Sequence, residues 1–322
     1  MSTPHFSVII PVYNRANALA AAIRSVLAQS CQDFEIVVVN DGSRDDPESV
    51  LKTFADPRIR FINQENRGGG AARNTAIDAA RGRFIAPLDS DDIFLPHHLE
   101  AMKALLDDTT NTAGYARILV DRGHGHIFMK PPRAIRDGED MGEYLLCARG
   151  FVPTITIVVA RELCKRVRYD ENLRSAEDTD FAIRLALAGC RFVMAQEPGA
   201  VWKDLADPGR TSAGAASSRT ARFALWLEQM KPNLTERAWQ GACGWAYAKM
   251  LARDGRKFEA LKLYISALFW GCYTPKLAVV VLLQIFLDAS RYRRLADVAI
   301  AWLNIGMREP DTAGMSGWLK KA

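Results

Sequence analysis

Residues 83–92 read Arg83-Phe84-Ile85-Ala86-Pro87-Leu88-Asp89-Ser90-Asp91-Asp92, and Ile93-Phe94-Leu95-Pro96 follow. The apolar run from Phe84 has the length of a buried strand. Three carboxylates at its end are costly to hold together unless a cation neutralises them. In an open α/β sheet, ligands collect beyond the C-terminal ends of the strands. Asp89 and Asp91, two residues apart, can face one side there. Hard oxygen donors at that spacing suit Mg²⁺ or Mn²⁺ carrying a phosphorylated ligand. A solvated acidic turn would read the same in isolation, so the flanking sequence decides.

Upstream, strand-like runs alternate with helical patterns. Residues 6–12 are apolar and end at Tyr13-Asn14-Arg15, after which Leu19, Ile23, Val26 and Leu27 recur at helical spacing. Residues 34–39 form a second apolar run, ending in Asn40-Asp41-Gly42-Ser43, and Asp45-Asp46-Pro47 carries a helix-start pattern. Residues 59–62 form a third, short run. Asn66-Arg67-Gly68-Gly69-Gly70 follows, then a helix over 71–80. This alternation predicts an α/β fold with a mostly parallel sheet flanked by helices.

The strand-end turns should share one edge of that sheet. Asp41 there suits a base N–H, or equally its own backbone. The glycine run lets a ligand approach the backbone at a helix N-terminus, where phosphate is favoured. Arg73, one turn in, suits a phosphate or ribose, or solvent.

Downstream, a helix after Pro96 runs through Leu106, with His97 and His98 read as surface residues. Residues 113–130 suggest two strands around Gly123-His124-Gly125-His126, whose histidines read as solvated. Residues 131–138 read as a polar loop and residues 154–160 as strand-like. Glu177-Asp178-Thr179-Asp180 leads into a helix, where first-turn carboxylates are common caps. Residues 192–195 read as another strand.

Near residue 213 the composition shifts. Residues 213–218 are small and linker-like, dividing the chain into 1–212 and an α-helical, basic region over 213–322. Helices are expected over about 219–231, 235–253, 257–271, 274–290 and 291–305. Residues 1–210 carry a net −3 and residues 211–322 a net +8. Such asymmetry suggests an anionic partner. No nucleic-acid-binding signature accompanies it, so no nucleic acid is expected, and a membrane surface is preferred. The apolar run 277–287 is too short to span a bilayer. Packing into a core or a homodimer is the rival use of these helices. The six cysteines form no CxxC pair, and the N-terminus lacks an export signal. Reduced, buried thiols in a cytoplasmic protein, peripheral on the inner face of the cytoplasmic membrane, are the expectation.

The ordered set SVIIPVYN, EIVVVNDGS, NRGGGAARNTAI, GRFIAPLDSDD and EDTDF resembles the family 2 glycosyltransferases with a GT-A fold, over roughly residues 5–212. The resemblance implies inverting, non-processive, metal-dependent transfer from a nucleoside-diphosphate sugar, commonly a UDP-sugar, to a saccharide or polyprenyl-linked saccharide. It implies that Pro11 and Tyr13 border the base and that Asp41 pairs with it. Asn66 and Arg73 would lie near the nucleotide, Asp89 would face ribose and metal, and Asp91 would hold Mg²⁺ or Mn²⁺. Asp178 would be the general base, with Glu177 as its rival. Many relatives carry a histidine near Trp202-Lys203-Asp204, where this chain has Asp204. The QxxRW signature of processive synthases is absent. A sugar nucleotidyltransferase would show a basic glycine-rich loop near its first strand, which is missing here. A non-catalytic sugar-nucleotide binding protein would not need both the DSDD and ED pairs.

Overall fold

The computed structural model describes residues 3–106, 109, 111–122, 127–173, 176–204, 216–288 and 292. Among them, those up to Ala134 and those of Val152–Gly209 form one compact unit. Those of Ile135–Phe151 and Arg210–Arg308 form a second.

The first unit opens with β1 (Phe6–Val12), α1 (Ala16–Leu27), β2 (Phe34–Asp41), α2 (Pro47–Lys52), β3 (Ile59–Gln64), α3 (Gly69–Ala79) and β4 (Phe84–Pro87). Short β5 (Ile93–Phe94), α4 (His98–Leu106), β6 (Thr112–Tyr115), β7 (Ile118–Asp121) and β8 (Ile127–Lys130) follow. The main sheet has the order β3-β2-β1-β4-β9, where β9 is Val159–Ala160. The first four strands are parallel and β9 is antiparallel to β4. The chain steps outward from β1 to β3, then crosses to the other side of β1 with β4. A crevice therefore opens between the C-terminal ends of β1 and β4, the position at which such sheets bind ligands. β1 and β2 are almost wholly buried because helices cover both faces, which is why their sequences do not alternate.

Around this sheet lie α6 (Arg161–Val167), α7 (Glu177–Leu187), β10 (Arg191–Met194) and β11 (Ala200–Lys203). β10 pairs with β6, and β5, β11, β7 and β8 form a four-stranded sheet. Of the two strands expected over 113–130, β7 and β8 form the antiparallel pair, whereas residues 112–115 make a separate strand, β6, because it pairs with β10; the tip with His124 and His126 lies outside the described residues.

Two expectations are corrected. Residues 154–156 are a 3₁₀ turn rather than strand, because Pro153 O accepts from both Thr156 N and Ile157 N, at 3.0 and 3.1 Å. His98 is fully buried rather than solvated: its ring packs 4.6 Å from that of Phe94, and desolvation lowers its pKa to about 3. Gly199 makes room for it, since a Cβ there would meet His98 Nδ1 at 2.3 Å.

The second unit holds α5 (Met141–Leu146), α8 (Ala216–Met230), α9 (Glu236–Ala242), α10 (Ala248–Arg253), α11 (Lys257–Phe269) and α12 (Pro275–Phe286). A π-helical turn, Cys243–Tyr247, joins α9 to α10. Thr235 and Thr274 cap α9 and α12 through their hydroxyls, as the sequence predicts. Its core includes Leu251, Tyr264, Val281 and Ile285. The expected helix over 291–305 and the expected linker around 213 lie outside the described residues, residue 292 and the backbone from 216 apart. The apolar run beginning at Leu277 packs its Leu277, Val281 and Ile285 side chains into that core. Trp226 is likewise buried, and Trp245 donates to Gln284 Oε1 at 2.9 Å. Among the described residues no helix is long and apolar enough to cross a membrane. All six cysteines are free, five of them buried and Cys31 partly exposed.

Candidate active site

The crevice beside β1 is built by four segments. The first is the loop after β1. Asn14, at φ 52°, turns the chain. Its backbone N–H donates to Ser43 Oγ at 3.0 Å and its side-chain oxygen accepts from Arg44 N at 2.7 Å, tying the turn after β1 to that after β2. Asp45 Oδ2 accepts from Ala16 N at 2.7 Å and so caps α1 from across the crevice edge. Pro11 and Tyr13, both partly exposed, border this corner.

The second segment is the glycine turn before α3. Asp41, at the end of β2, is buried, and its carboxylate accepts from Gln64 Nε2 at 2.7 Å, Arg67 N at 2.9 Å and Gly68 N at 2.8 Å. Asn66 donates its side-chain amide to Asp41 O at 3.0 Å. Asp41 therefore braces the glycine turn, with one of its roughly four lone-pair sites left for a ligand. Gly68 has φ 94°, a left-handed value only glycine adopts freely. Gly70 allows a close approach: a Cβ there would meet Asp170 O at 2.8 Å.

The third segment is the strand end of β4. Arg73, on α3 and almost fully buried, donates through Nη2 to Asp89 Oδ1 at 2.6 Å. Its Nη1 lies 3.7 Å from Glu177 Oε1, and its guanidinium stands 5.4 Å from the centre of the Tyr169 ring. Nε and Nη1 of Arg73 are buried without a hydrogen-bond acceptor. Burial works against its charge, but Asp89 and its neighbours more than restore it and its pKa is raised. Asp91 accepts from Arg15 Nη1 at 2.6 Å. Asp92 is buried and accepts from Lys203 N at 3.0 Å, which anchors β11 rather than facing a ligand. The three aspartates thus divide their work.

The fourth segment leads into α7. Ala176 adopts a left-handed φ of 65° and starts the helix at Glu177. Asp180, buried, pairs with Arg184 one turn on, and Arg184 also donates to the carbonyls of Val167 and Arg168. That leaves Glu177 and Asp178 at the site. Burial, with the adjacent Glu177 carboxylate, raises Asp178 to about 7, against the opposing pull of Arg73. A carboxylate so poised accepts a proton near neutral pH.

Several supporting residues gave no signal in the sequence. Asn74 donates to Tyr169 O and accepts from Tyr169 N, both at 2.9 Å, fastening the segment before α7 onto α3. Glu171 accepts from Asn74 at 3.0 Å and from Arg67 at 2.5 Å. Tyr169 stacks on Phe181 at 4.1 Å with its hydroxyl buried and unpartnered. A polar residue mid-helix and a lone tyrosine are unremarkable until the topology joins them.

The residues fit a divalent ion in part. Among the described residues no group of three or more His, Cys, Asp or Glu side chains converges on one point. Asp89 and Asp91 supply two carboxylates at one strand end. Mg²⁺ in phosphate sites takes one or two carboxylates, the rest coming from phosphate and water. Asp204 lies apart in function: its Oδ2 accepts from Arg122 Nε at 3.3 Å.

The profile of glycosyl transferase family 2 matches residues 7–161. The amylovoran biosynthesis glycosyltransferase AmsB of Erwinia amylovora is 28% identical over 243 residues, 72% of this chain and 79% of that one. An uncharacterized glycosyltransferase of Rickettsia typhi, RT0329, is 32% identical over 55% of this chain and 57% of its own length. The succinoglycan biosynthesis protein ExoO of Rhizobium meliloti is 43% identical over 37% of this chain and 33% of its own. The chain thus spans little more than half of the Rickettsia relative and a third of ExoO. Among solved structures, S. aureus TarS 1-349 in complex with UDP-GlcNAc superposes with a TM-score of 0.61 at 20% identity, covering 89% of each chain. That likeness is one of fold.

Proposed function

The chain belongs to the family 2 glycosyltransferases, and from that premise we propose that it moves a single sugar from a UDP-sugar to a hydroxyl of a saccharide acceptor, with inversion at C1. The acceptor class is read from relatives named for amylovoran and succinoglycan biosynthesis, and UDP from the UDP-GlcNAc complex of the fold neighbour. A lipid-linked saccharide in extracellular polysaccharide assembly is the acceptor proposed.

The observation that carries the reading is the placement of Asp178 beside Arg73 and Asp89. Asp178, held near 7 by burial and Glu177, takes the acceptor hydroxyl's proton as that oxygen attacks C1. The C1–O bond to the diphosphate breaks in the same displacement, so an α-linked donor gives a β-linked product. Arg73 supplies a fixed positive charge with two hydrogen-bonding nitrogens to spare, and Asp89 holds it in place. Asp41 keeps the glycine turn open to the nucleotide. A divalent ion held by Asp89 and Asp91 would offset the charge that builds on the leaving diphosphate. The Arg15–Asp91 pair holds that carboxylate in position.

Release of UDP from a panel of UDP-sugars, measured with and without acceptor and Mn²⁺, tests the reading. It should require both. Release of pyrophosphate from UTP and a sugar phosphate, or nucleotide binding with no turnover under any pairing, would contradict it.

A further inference from the structure

We propose that the exposed face of α11 is a docking surface for an anionic lipid bilayer. Its use rests on the proposed lipid-linked acceptor, but the surface itself is argued from the helix. α11 buries Ala260, Tyr264 and Ala267 in the core of its unit. On another side it exposes Phe258, Leu261, Ile265, Leu268 and Phe269. At about 100° per residue these five form one stripe about 100° wide along the helix. Phe258 is 82% exposed and Phe269 88%, and Trp270, just beyond the helix, is half-exposed. Five large apolar side chains in one contiguous row exceed the scattered exposure expected of a soluble surface.

Charge identifies the occupant. Lys257 and Lys262 are both exposed, and the same helical geometry puts one on each edge of the stripe. Arg253 and Lys276, on the neighbouring helices, are exposed as well. Between Arg253 and Lys276 the chain carries five basic and two acidic residues, and one of the acids, Glu259, is paired with Arg256. An apolar stripe edged by lysines is the arrangement of a helix lying in the bilayer interface: the rings enter the acyl boundary and the lysines reach the phosphates. Trp270 at the end suits the headgroup level. In an isologous contact with a second copy, the lysine rows would face like charge.

Flotation of the full chain with vesicles tests this directly. Two compositions are compared: phosphatidylcholine alone, and phosphatidylcholine mixed with phosphatidylglycerol. The chain should float with the anionic vesicles and progressively less as salt rises. Phe258→Ser with Phe269→Ser should lower partitioning about tenfold or more, with the melting curve unchanged because both side chains are exposed. Lys257→Gln and Lys262→Gln should each lower it about fivefold on anionic vesicles and not on neutral ones. Absence of flotation at low salt, or flotation indifferent to the Phe258 and Phe269 changes, would overturn the proposal. So would a dimer, seen by light scattering, that those changes dissociate without any flotation. UDP release with a water-soluble acceptor should be the same in the Phe258 and Phe269 variant as in the parent. Failure of turnover with flotation intact would count against the active-site reading alone.

Discussion

Arg73 Nη2 donates to Asp89 Oδ1 at 2.6 Å from a position closed to solvent, so that one buried cation serves three carboxylates: Asp89, Glu177 and Asp178. The guanidinium lowers the proton affinity of Asp178 while burial and Glu177 raise it. Arg73→Met removes the lowering influence. The acid limb of the pH profile of kcat/KM, expected near 7, should then move up by about one unit, with turnover at neutral pH falling at least tenfold. A pH–rate profile of the variant checks this, and an unmoved limb would separate Arg73 from Asp178.

Asp91 is the residue proposed to meet the metal, and Arg15 holds it at 2.6 Å. Asp91→Asn removes a negative charge and a hard oxygen donor. Mn²⁺-dependent UDP binding by calorimetry should weaken by about tenfold or more, with metal-free binding little changed. Equal metal dependence in parent and variant would remove Asp91 from the ligand set.

Asp41 accepts three hydrogen bonds, two from the backbone of the glycine turn. Asp41→Asn places an amide donor where only acceptors are wanted. The expected cost is about 1–3 kcal/mol of stability. At about 2–4 °C per kcal/mol this is visible in a thermal melt. UDP affinity should fall with it, because the turn that admits the nucleotide loses its brace. Lost affinity with an unchanged melting temperature would instead mark Asp41 as a ligand contact with no bracing role.

Much of this arrangement was legible in the sequence. Continuous apolar runs such as residues 6–12 and 34–39 have the length of strands covered on both faces, and their alternation with helices points to a mostly parallel sheet. Glycines and carboxylates at the strand ends marked the ligand edge. What stayed hidden depends on distant partners. Asp92 reads like Asp91, yet it anchors Lys203 N. Asp180 reads like Asp178, yet it pairs with Arg184. His98 reads as polar, yet Gly199 opens a buried place for it. Asn74 and Tyr169 join across 95 residues of chain. Local pattern carries no information on such pairs. In the helical unit the densest apolar run is that of α12, yet the exposed stripe lies on α11, whose composition is less extreme.

The raised pKa of Asp178 also predicts a pH dependence of stability. A carboxyl at about 7 in the native state and near 3.8 unfolded binds more protons when folded between those values. Stability from this group is therefore full below about 3.8, declines as pH rises, and the penalty is complete above about 7. Asp178→Asn never ionises. It should melt higher than the parent above pH 7, by about 1–2 kcal/mol after discounting for solvent screening, with the gap closing toward pH 4. A gap that widens on acidification would reverse the assigned shift.

The role proposed for Asp178 is to take the acceptor's proton. Acceptor-dependent UDP release by Asp178→Asn, measured beside its UDP affinity in the presence of Mn²⁺, tests it most directly. The variant keeps the shape of the side chain and loses its capacity to accept a proton. Turnover should fall by about three orders of magnitude while UDP affinity stays within about twofold of the parent. Turnover near that of the parent, or a collapse of UDP affinity matching the loss of turnover, would contradict the assignment.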